Sequence, residues 1–220
     1  MAKSRLFAEP GMVRNHAHYG AFDAPFELDC DYVVIDVETT GFEPSKGARV
    51  IEFAAHRTRG DGKILESYST LINHGSQDTG AVFIHGITPD LLNDAPTFEQ
   101  AWPAIESIMS NAIVVAHNAT FDMAFVDNEV DIIGREFPTM PAICTYWLSR
   151  ESLKDLPNYK LTTIAEHLGV LNDREHDASA DAKVVVEAMP HMLKNIDTVR
   201  HFVGATPRIV MPEFVVSASR

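Results

Sequence analysis

The clearest pattern in the chain begins near residue 31. Tyr32-Val33-Val34-Ile35 is an apolar, β-rich run that continues through Asp36-Val37-Glu38 and stops at Thr39-Thr40-Gly41, which predicts a buried strand opening into a turn. Two more strands are predicted over 49–58 and 63–72, and Gly60-Asp61-Gly62 between them favours a hairpin. Thr88 suits a helix N-cap and Pro89 the first helical position, opening a short helix through Leu92. Thr97-Phe98-Glu99-Gln100 is a capping-box pattern, and Phe98, Trp102, Ile105 and Met109 recur behind it at helical spacing, with a kink expected at Pro103. Ala112 to Ala116 reads as another buried strand, leading through His117-Asn118 into a helix that carries Phe121, Asp122 and Phe125. A strand over 142–145 follows, then a helix with Leu161, Ile164, Ala165 and Leu168 stopped by Gly169. The last helix runs from near Ala178 toward Lys194, with a bend at Pro190. Strands first, then helices alternating with strands, predict an α/β fold with a mixed sheet.

The flanks lack this order. Pro10, Gly11, Gly20 and Pro25 interrupt residues 1–29, which read as an arm; residues 30–198 form the domain; and 199–220 read as a tail with one apolar run, Phe214-Val215-Val216. His16 and His18 in the arm read as a surface pair. With 220 residues, 45% hydrophobic and 22% charged, the composition is that of a globular protein with one core. No run approaches the ~18 uninterrupted apolar residues of a membrane helix. Lys3 and Arg5 precede only Leu6 to Ala8 before Glu9 and Pro10, which is not a secretion signal. Cys30 and Cys144 stand far apart, which excludes a disulfide framework and fits a reducing cytoplasm. The net charge of −13 opposes coating long nucleic acid by counterion release. It leaves room for an enzyme that grips one strand end, where carboxylates holding divalent cations reverse the local sign.

The acids then carry the chemistry. Asp36 and Glu38, two apart on a strand, point to one face while Ile35 and Val37 point to the other, and they sit at the strand's C-terminal end, where open α/β sheets place ligands. Asp122 lies at the border of its helix's apolar stripe, in a first turn that suits the helix dipole. Asp181 shares a face with Val184, Val185 and Ala188, where an unpaired carboxylate costs several kcal/mol. His176, on the loop before that helix, can lean over the same point. Four such acids offer the hard oxygen ligands that Mg²⁺ or Mn²⁺ prefers, and no cysteine or H-E-x-x-H pattern competes for zinc. Two ions about 3.5–4 Å apart stabilise both attacking and leaving oxygens in phosphodiester cleavage. A histidine is suited to take the proton of the attacking water.

The ordered set Asp36-Val37-Glu38, His117-Asn118-Ala119-Thr120-Phe121-Asp122 and His176-Asp177-Ala178-Ser179-Ala180-Asp181-Ala182 resembles the three exonuclease motifs of the DEDDh (DnaQ-like) 3′→5′ exonucleases, over roughly residues 31–195. Within that family it looks nearest to the proofreading ε subunit of bacterial replicative polymerases, through His85-Gly86-Ile87, Pro96-Thr97-Phe98 and Phe125-Val126-Asp127-Asn128-Glu129. The resemblance implies an RNase H-like fold, a mixed five-stranded sheet flanked by helices, and release of nucleoside 5′-monophosphates from single-stranded or frayed DNA ends. It implies that Asp36, Glu38, Asp122 and Asp181 hold two ions of Mg²⁺ or Mn²⁺ and that His176 is the general base. Thr39, Thr40 and Gly41 would meet the terminal sugar, Phe42, Ile84 and His85 the last base, while His117 and Asn118 order the loop that holds Asp122. Gln77 and Gln100 are the only glutamines, so nothing in the tail resembles a glutamine-led clamp-binding peptide. A DNA polymerase partner, an RNA 3′-end trimmer and a catalytically idle binding module of the same fold stay open as alternatives.

Overall fold

A computed structural model describes residues 20–25, 31–137, 140–171, 174–193 and 198–204. His16, His18, Cys30 and the apolar run at 214–216 lie outside the described residues. The chain runs β1 (Gly20–Pro25), β2 (Asp31–Thr39), β3 (Val50–Thr58), β4 (Ile64–Leu71), then the short helices α1 (Val82–His85) and α2 (Pro89–Leu92). It continues through α3 (Phe98–Met109), β5 (Ala112–Ala116), α4 (Ala119–Ile132), β6 (Met140–Cys144), α5 (Thr145–Ser152), α6 (Leu161–Leu168), α7 (Ala178–Leu193) and β7 (Thr198–Gly204).

Alternation along β2 sets the layers, because successive strand side chains point to opposite faces. Val33, Ile35 and Val37 pack with Phe98, Trp102 and Ile105 of α3 and with Met123, Phe125 and Val126 of α4. Tyr32 and Val34 pack on the other side with Val185, Met189 and Leu193 of α7. Asp36 and Glu38 continue this second set, so both carboxylates rise on the α7 side of the sheet.

The sheet is ordered β1-β7-β6-β5-β2-β3-β4. β2 runs antiparallel to β3 and parallel to β5, which is parallel to β6. The five strands read from the sequence are contiguous, from β6 to the edge strand β4, as a mixed sheet. β1 and β7, from residues read as arm and as domain end and tail, pair antiparallel with each other and extend the sheet beyond β6. The strand predicted over 142–145 ends at Cys144, and α5, which the sequence did not announce, starts directly at Thr145. α3 is capped as its sequence predicts: Thr97 Oγ1 accepts from Gln100 N–H and Gln100 Oε1 from Thr97 N–H. Both α3 and α7 run on as single helices past Pro103 and Pro190.

Register creates the space for a site. β5 pairs with β2 only from Asp31 to Val34, so the far half of β2 outruns its parallel neighbour. The chain leaves β5 through His117 and Asn118, whose backbone is left-handed at φ 72°, and α4 begins beside the exposed end of β2. That places Asp122, in the first turn of α4, next to Asp36 and Glu38.

α4 is fastened by an ion pair between half-buried Arg49 and fully buried Glu129. Arg49 Nε and Nη2 each donate to Glu129 at 2.7 Å, and the Val50 amide donates to the same carboxylate at 3.1 Å. The backbone of Arg49 also brackets the turn after β2, accepting from the Thr40 amide at 2.9 Å and donating to Thr40 Oγ1 at 3.0 Å. Gly80 presses on that turn: a Cβ there would collide with the Thr40 carbonyl, and φ is +72°. Glu129→Ala strands the Arg49 guanidinium and is expected to cost about 3–5 kcal/mol of stability, read as a lower urea midpoint at unchanged slope. A loss under about 1 kcal/mol would mean that packing alone fastens α4.

Candidate active site

Three elements deliver the predicted acids to one place. β2 brings Asp36 and Glu38, α4 brings Asp122, and the start of α7 brings Asp181. One ligand atom from each of Glu38, His176 and Asp181 lies within 4.8 Å of the others, so the imidazole joins the carboxylates rather than standing apart. His176 is solvent-exposed with a left-handed backbone at φ 62°, an uncommon conformation outside glycine, and its amide donates to Asp181 Oδ2 at 3.1 Å. Asp181, expected on a buried face, is only half-buried: Val184, Val185 and Ala188 on that face are buried, but the first turn of α7 stands at the open end of the sheet.

The electrostatics are those of crowded like charges. Burial first, then Asp122, Asp181 and Glu38, push the Asp36 carboxyl well above the usual range. Burial, reinforced by Asp181, Glu52 and Asp122, pushes Glu38 up to about 8. Burial lifts Asp122 to about 8 against backbone hydrogen bonds from its own amide and from Val37 that lower it. No lysine or arginine among the described residues forms a salt bridge with Asp36, Glu38 or Asp122. Asp122 is 2% exposed, and its Oδ2 is buried without a hydrogen-bond partner. An orphaned carboxylate oxygen beside three more acids fits a divalent cation held by oxygen ligands.

One acid of the site went unnoticed in the sequence. Glu52 of β3 pairs directly with Glu38 across the strands, and its Oε2 accepts from the Ala178 amide at 3.3 Å. Burial raises its pKa, against that amide bond, which lowers it. The available signal was a pair of polar residues, Glu52 within the apolar run Val50 to Ala55 and His56 directly after it, four apart and so on one face of the strand.

The remaining predicted residues sort into rim and support. Thr39, Thr40 and Gly41 form the turn at the end of β2, where Thr39 Oγ1 donates to the Gly41 carbonyl at 2.7 Å. Phe42 follows, 84% exposed, and with Pro44, Asn118 and Phe121 lines an open cleft of about 440 Å³. Ile84 is 41% exposed. His85 is committed elsewhere: Nδ1 accepts from the Ile87 amide at 3.0 Å, so Nε2 carries the proton and donates to the Thr79 carbonyl at 3.0 Å. Burial and the nearby His176 lower its pKa, and a base could meet only its ring face. His117 sits behind the loop, with Nδ1 3.2 Å from Thr145 Oγ1 and its ring edge-on to Tyr146. Burial pushes its pKa down to about 4, so it stays neutral there.

Comparison with known proteins gives the family and the fold. The chain is 33% identical over 170 residues to the PolC-type DNA polymerase III of Clostridium perfringens, a match covering 77% of this chain and 12% of the relative. It is 34% identical over 154 residues to the 3′-5′ exonuclease DinG of Bacillus subtilis, covering 70% and 16%. The chain therefore spans only 12–16% of the length of these curated relatives. Among solved structures, the nuclease domain of 3′hExo, a DEDDh family member bound to rAMP, superposes with a TM-score of 0.66 at 20% identity, covering 81% of this chain and 98% of that one. Exonuclease X in complex with 5′ overhanging duplex DNA gives 0.60 at 24%, covering 74% and 91%. These likenesses establish the RNase H-like exonuclease fold. The Exonuclease family model matches residues 33–189, and with the acids and histidine of the DEDDh pattern all in place, the chain belongs to that family.

Proposed function

We propose that this domain is a metal-dependent 3′→5′ exonuclease that releases nucleoside 5′-monophosphates from single-stranded or frayed DNA ends. The observation that carries the reading is the convergence of Asp36, Glu38, Asp122 and Asp181 around an uncompensated buried oxygen, with the His176 ring among them. The four carboxylates would hold two ions of Mg²⁺ or Mn²⁺. When bound, such ions supply charge stabilisation at the attacking and leaving oxygens of the phosphodiester. His176, exposed at the mouth, accepts the proton of the attacking water as general base. The turn at Thr39, Thr40 and Gly41 meets the terminal sugar, and Phe42 with Ile84 and the ring face of His85 meets the last base. His117 and Asn118 hold the loop that aims Asp122.

The relatives favour DNA over RNA, since one is a DNA polymerase and one neighbour is complexed with duplex DNA, whereas the rAMP-bound neighbour supports RNA ends as the second reading. A polymerase is the partner that the PolC-type relatives support, and such work belongs in the cytoplasm. No helix among the described residues is long and apolar enough to cross a membrane. The reading places the nuclease within residues 30–198.

With Mg²⁺ or Mn²⁺, 5′-labelled DNA is expected to shorten from its 3′ end, and labelled RNA more slowly. Asp36→Ala should abolish this, and His176→Ala should slow it by about 10²–10⁴ while leaving Mn²⁺ binding in place. Persistence of full-length strands in both metals would favour the idle binding module, and faster loss of RNA the trimming reading.

The acids also set a pH dependence for the metal-free protein. Glu38 and Asp122 titrate near 8 when folded, against about 4 when unfolded, so the folded state binds more protons between these values. Stability is therefore full below about pH 4 with respect to these groups and falls as pH rises toward 8. In EDTA, Glu38→Gln is expected to melt about 2–8 °C above the native chain at pH 8, roughly 1–2 kcal/mol at this length, with a smaller gap at pH 5. Adding Mg²⁺ should narrow the pH 8 gap, and a variant that melts lower at pH 8 would contradict the crowding argument.

A further inference from the structure

On the α7 face of the sheet β3 presents two polar side chains. Glu52 and His56 are four residues apart, hence on one face, and the register puts them opposite Glu38 and Val34, on the α7 side of the sheet. Both reach the first turn of α7. The Ala178 amide donates to Glu52 Oε2 at 3.3 Å, and His56 Nε2 lies 3.0 Å from the Ser179 carbonyl. A carbonyl can only accept, so Nε2 carries the proton, and Nδ1 accepts from the Ser67 hydroxyl at 2.8 Å. The strand therefore grips two consecutive backbone groups of the helix start, one amide and one carbonyl.

The gripped segment is the one that carries the chemistry. His176 lies two residues before Ala178, and Asp181 three residues after it. The segment is also tied to itself: the His176 amide donates to Asp181 Oδ2 at 3.1 Å and the Ala180 amide to Asp177 Oδ1 at 2.9 Å. It would move as one body, and its seating on the sheet decides where the imidazole and Asp181 stand over Glu38. A carboxylate directly across a strand pair from another carboxylate is destabilising. At this position an apolar side chain would pack without that cost, and what Glu52 adds is an acceptor for the Ala178 amide at the positive end of α7.

We propose that Glu52 and His56 are positioning residues that seat the His176–Asp181 segment in register above Asp36 and Glu38. The kinetic part of this inference rests on the exonuclease reading; the structural part does not. Neither residue touches the substrate in this scheme, and both act through the backbone of α7.

The test uses the full chain with Mn²⁺ and a 5′-labelled DNA oligonucleotide, comparing Glu52→Ala with Glu52→Gln, which keeps an acceptor oxygen of the same reach. Glu52→Ala is expected to lower kcat about 10–100-fold, the usual consequence of a misplaced reacting group, with KM within about 2-fold. Glu52→Gln should recover kcat to within about 3-fold of native. Amide hydrogen exchange at Ala178 should quicken at least about 10-fold in Glu52→Ala and stay slow in Glu52→Gln. A Gln variant as slow as the Ala variant would overturn the proposal, because charge rather than the hydrogen bond would then matter. Unchanged kcat and exchange in Glu52→Ala would overturn it as well. If Glu52→Ala does not fold, His56→Phe, which keeps the ring and removes the bond to Ser179, carries the same test through kcat and exchange at Ala178; native values for both would overturn the clamp. A native chain that cleaves no oligonucleotide would sink the exonuclease reading, and the exchange rates would still decide for or against the clamp.

Discussion

Repulsion among carboxylates held at the end of one strand is the constraint around which this domain is built. Two like charges about 4 Å apart at an effective dielectric near 20 cost roughly 4 kcal/mol, and here four acids share a partly dry space with a fifth, Glu52, behind them. Left to themselves these groups would separate. They stay together because each rides on an element anchored elsewhere: β2 through its buried residues Tyr32 to Ile35, α4 through its apolar face and Glu129, α7 through Val185, Met189 and Leu193. Packing of the two hydrophobic layers thus supplies the energy that the acids consume, and part of the charge is relieved by protonation at Glu38 and Asp122, both pushed to about 8.

The same constraint explains why the site sits where it does. A parallel neighbour along the whole of β2 would leave no room for a helix start beside Asp36. Because β5 stops pairing at Val34, the first turn of α4 can lie against the strand end, where Val37 reaches Asp122 with a backbone hydrogen bond. The left-handed residues Asn118 and His176 fall at the two chain reversals that feed α4 and α7 into this corner. Two of the four left-handed non-glycine residues among those described thus aim side chains at the site, while Asn111 and Asp155 lie in a turn and a bend elsewhere.

What could be read from the sequence follows from the range of the interactions involved. The period of two from Tyr32 to Glu38 and the helical spacing from Phe98 to Met109 are local, and both elements and their buried faces stand as read. That Asp36 and Glu38 share a face is also local. That Asp122 and Asp181 join them depends on sheet order and register, and only the resemblance of three ordered motifs carried that information. Glu52 and His56 were visible as polar residues in and directly after an apolar run, but their meaning needs the pairing of Glu38 with Glu52 and the packing of α7. β1 and β7 were missed because a glycine- and proline-bounded segment pairs with one near the other end of the chain, and α5 because Cys144 makes no side-chain cap. The resemblance suggested His85 as a partner of the last base, and no sequence pattern could tell that both its ring nitrogens were already engaged.

Two carboxylates on α4 show how the chain separates structure from chemistry. Asp122 and Glu129 are seven residues apart, two turns of helix, and so lie on the same face; both are buried. Glu129 receives two guanidinium donors and one amide from its own chain, which satisfies a charge that would otherwise be costly. Asp122, on the same stripe, is left with one oxygen that nothing in the protein satisfies. Asp127 of the same helix also leaves one buried oxygen without a hydrogen-bond partner, so what sets Asp122 apart is the second fact that its free oxygen stands among Asp36, Glu38 and Asp181, where a cation from outside the polypeptide would satisfy several acids at once.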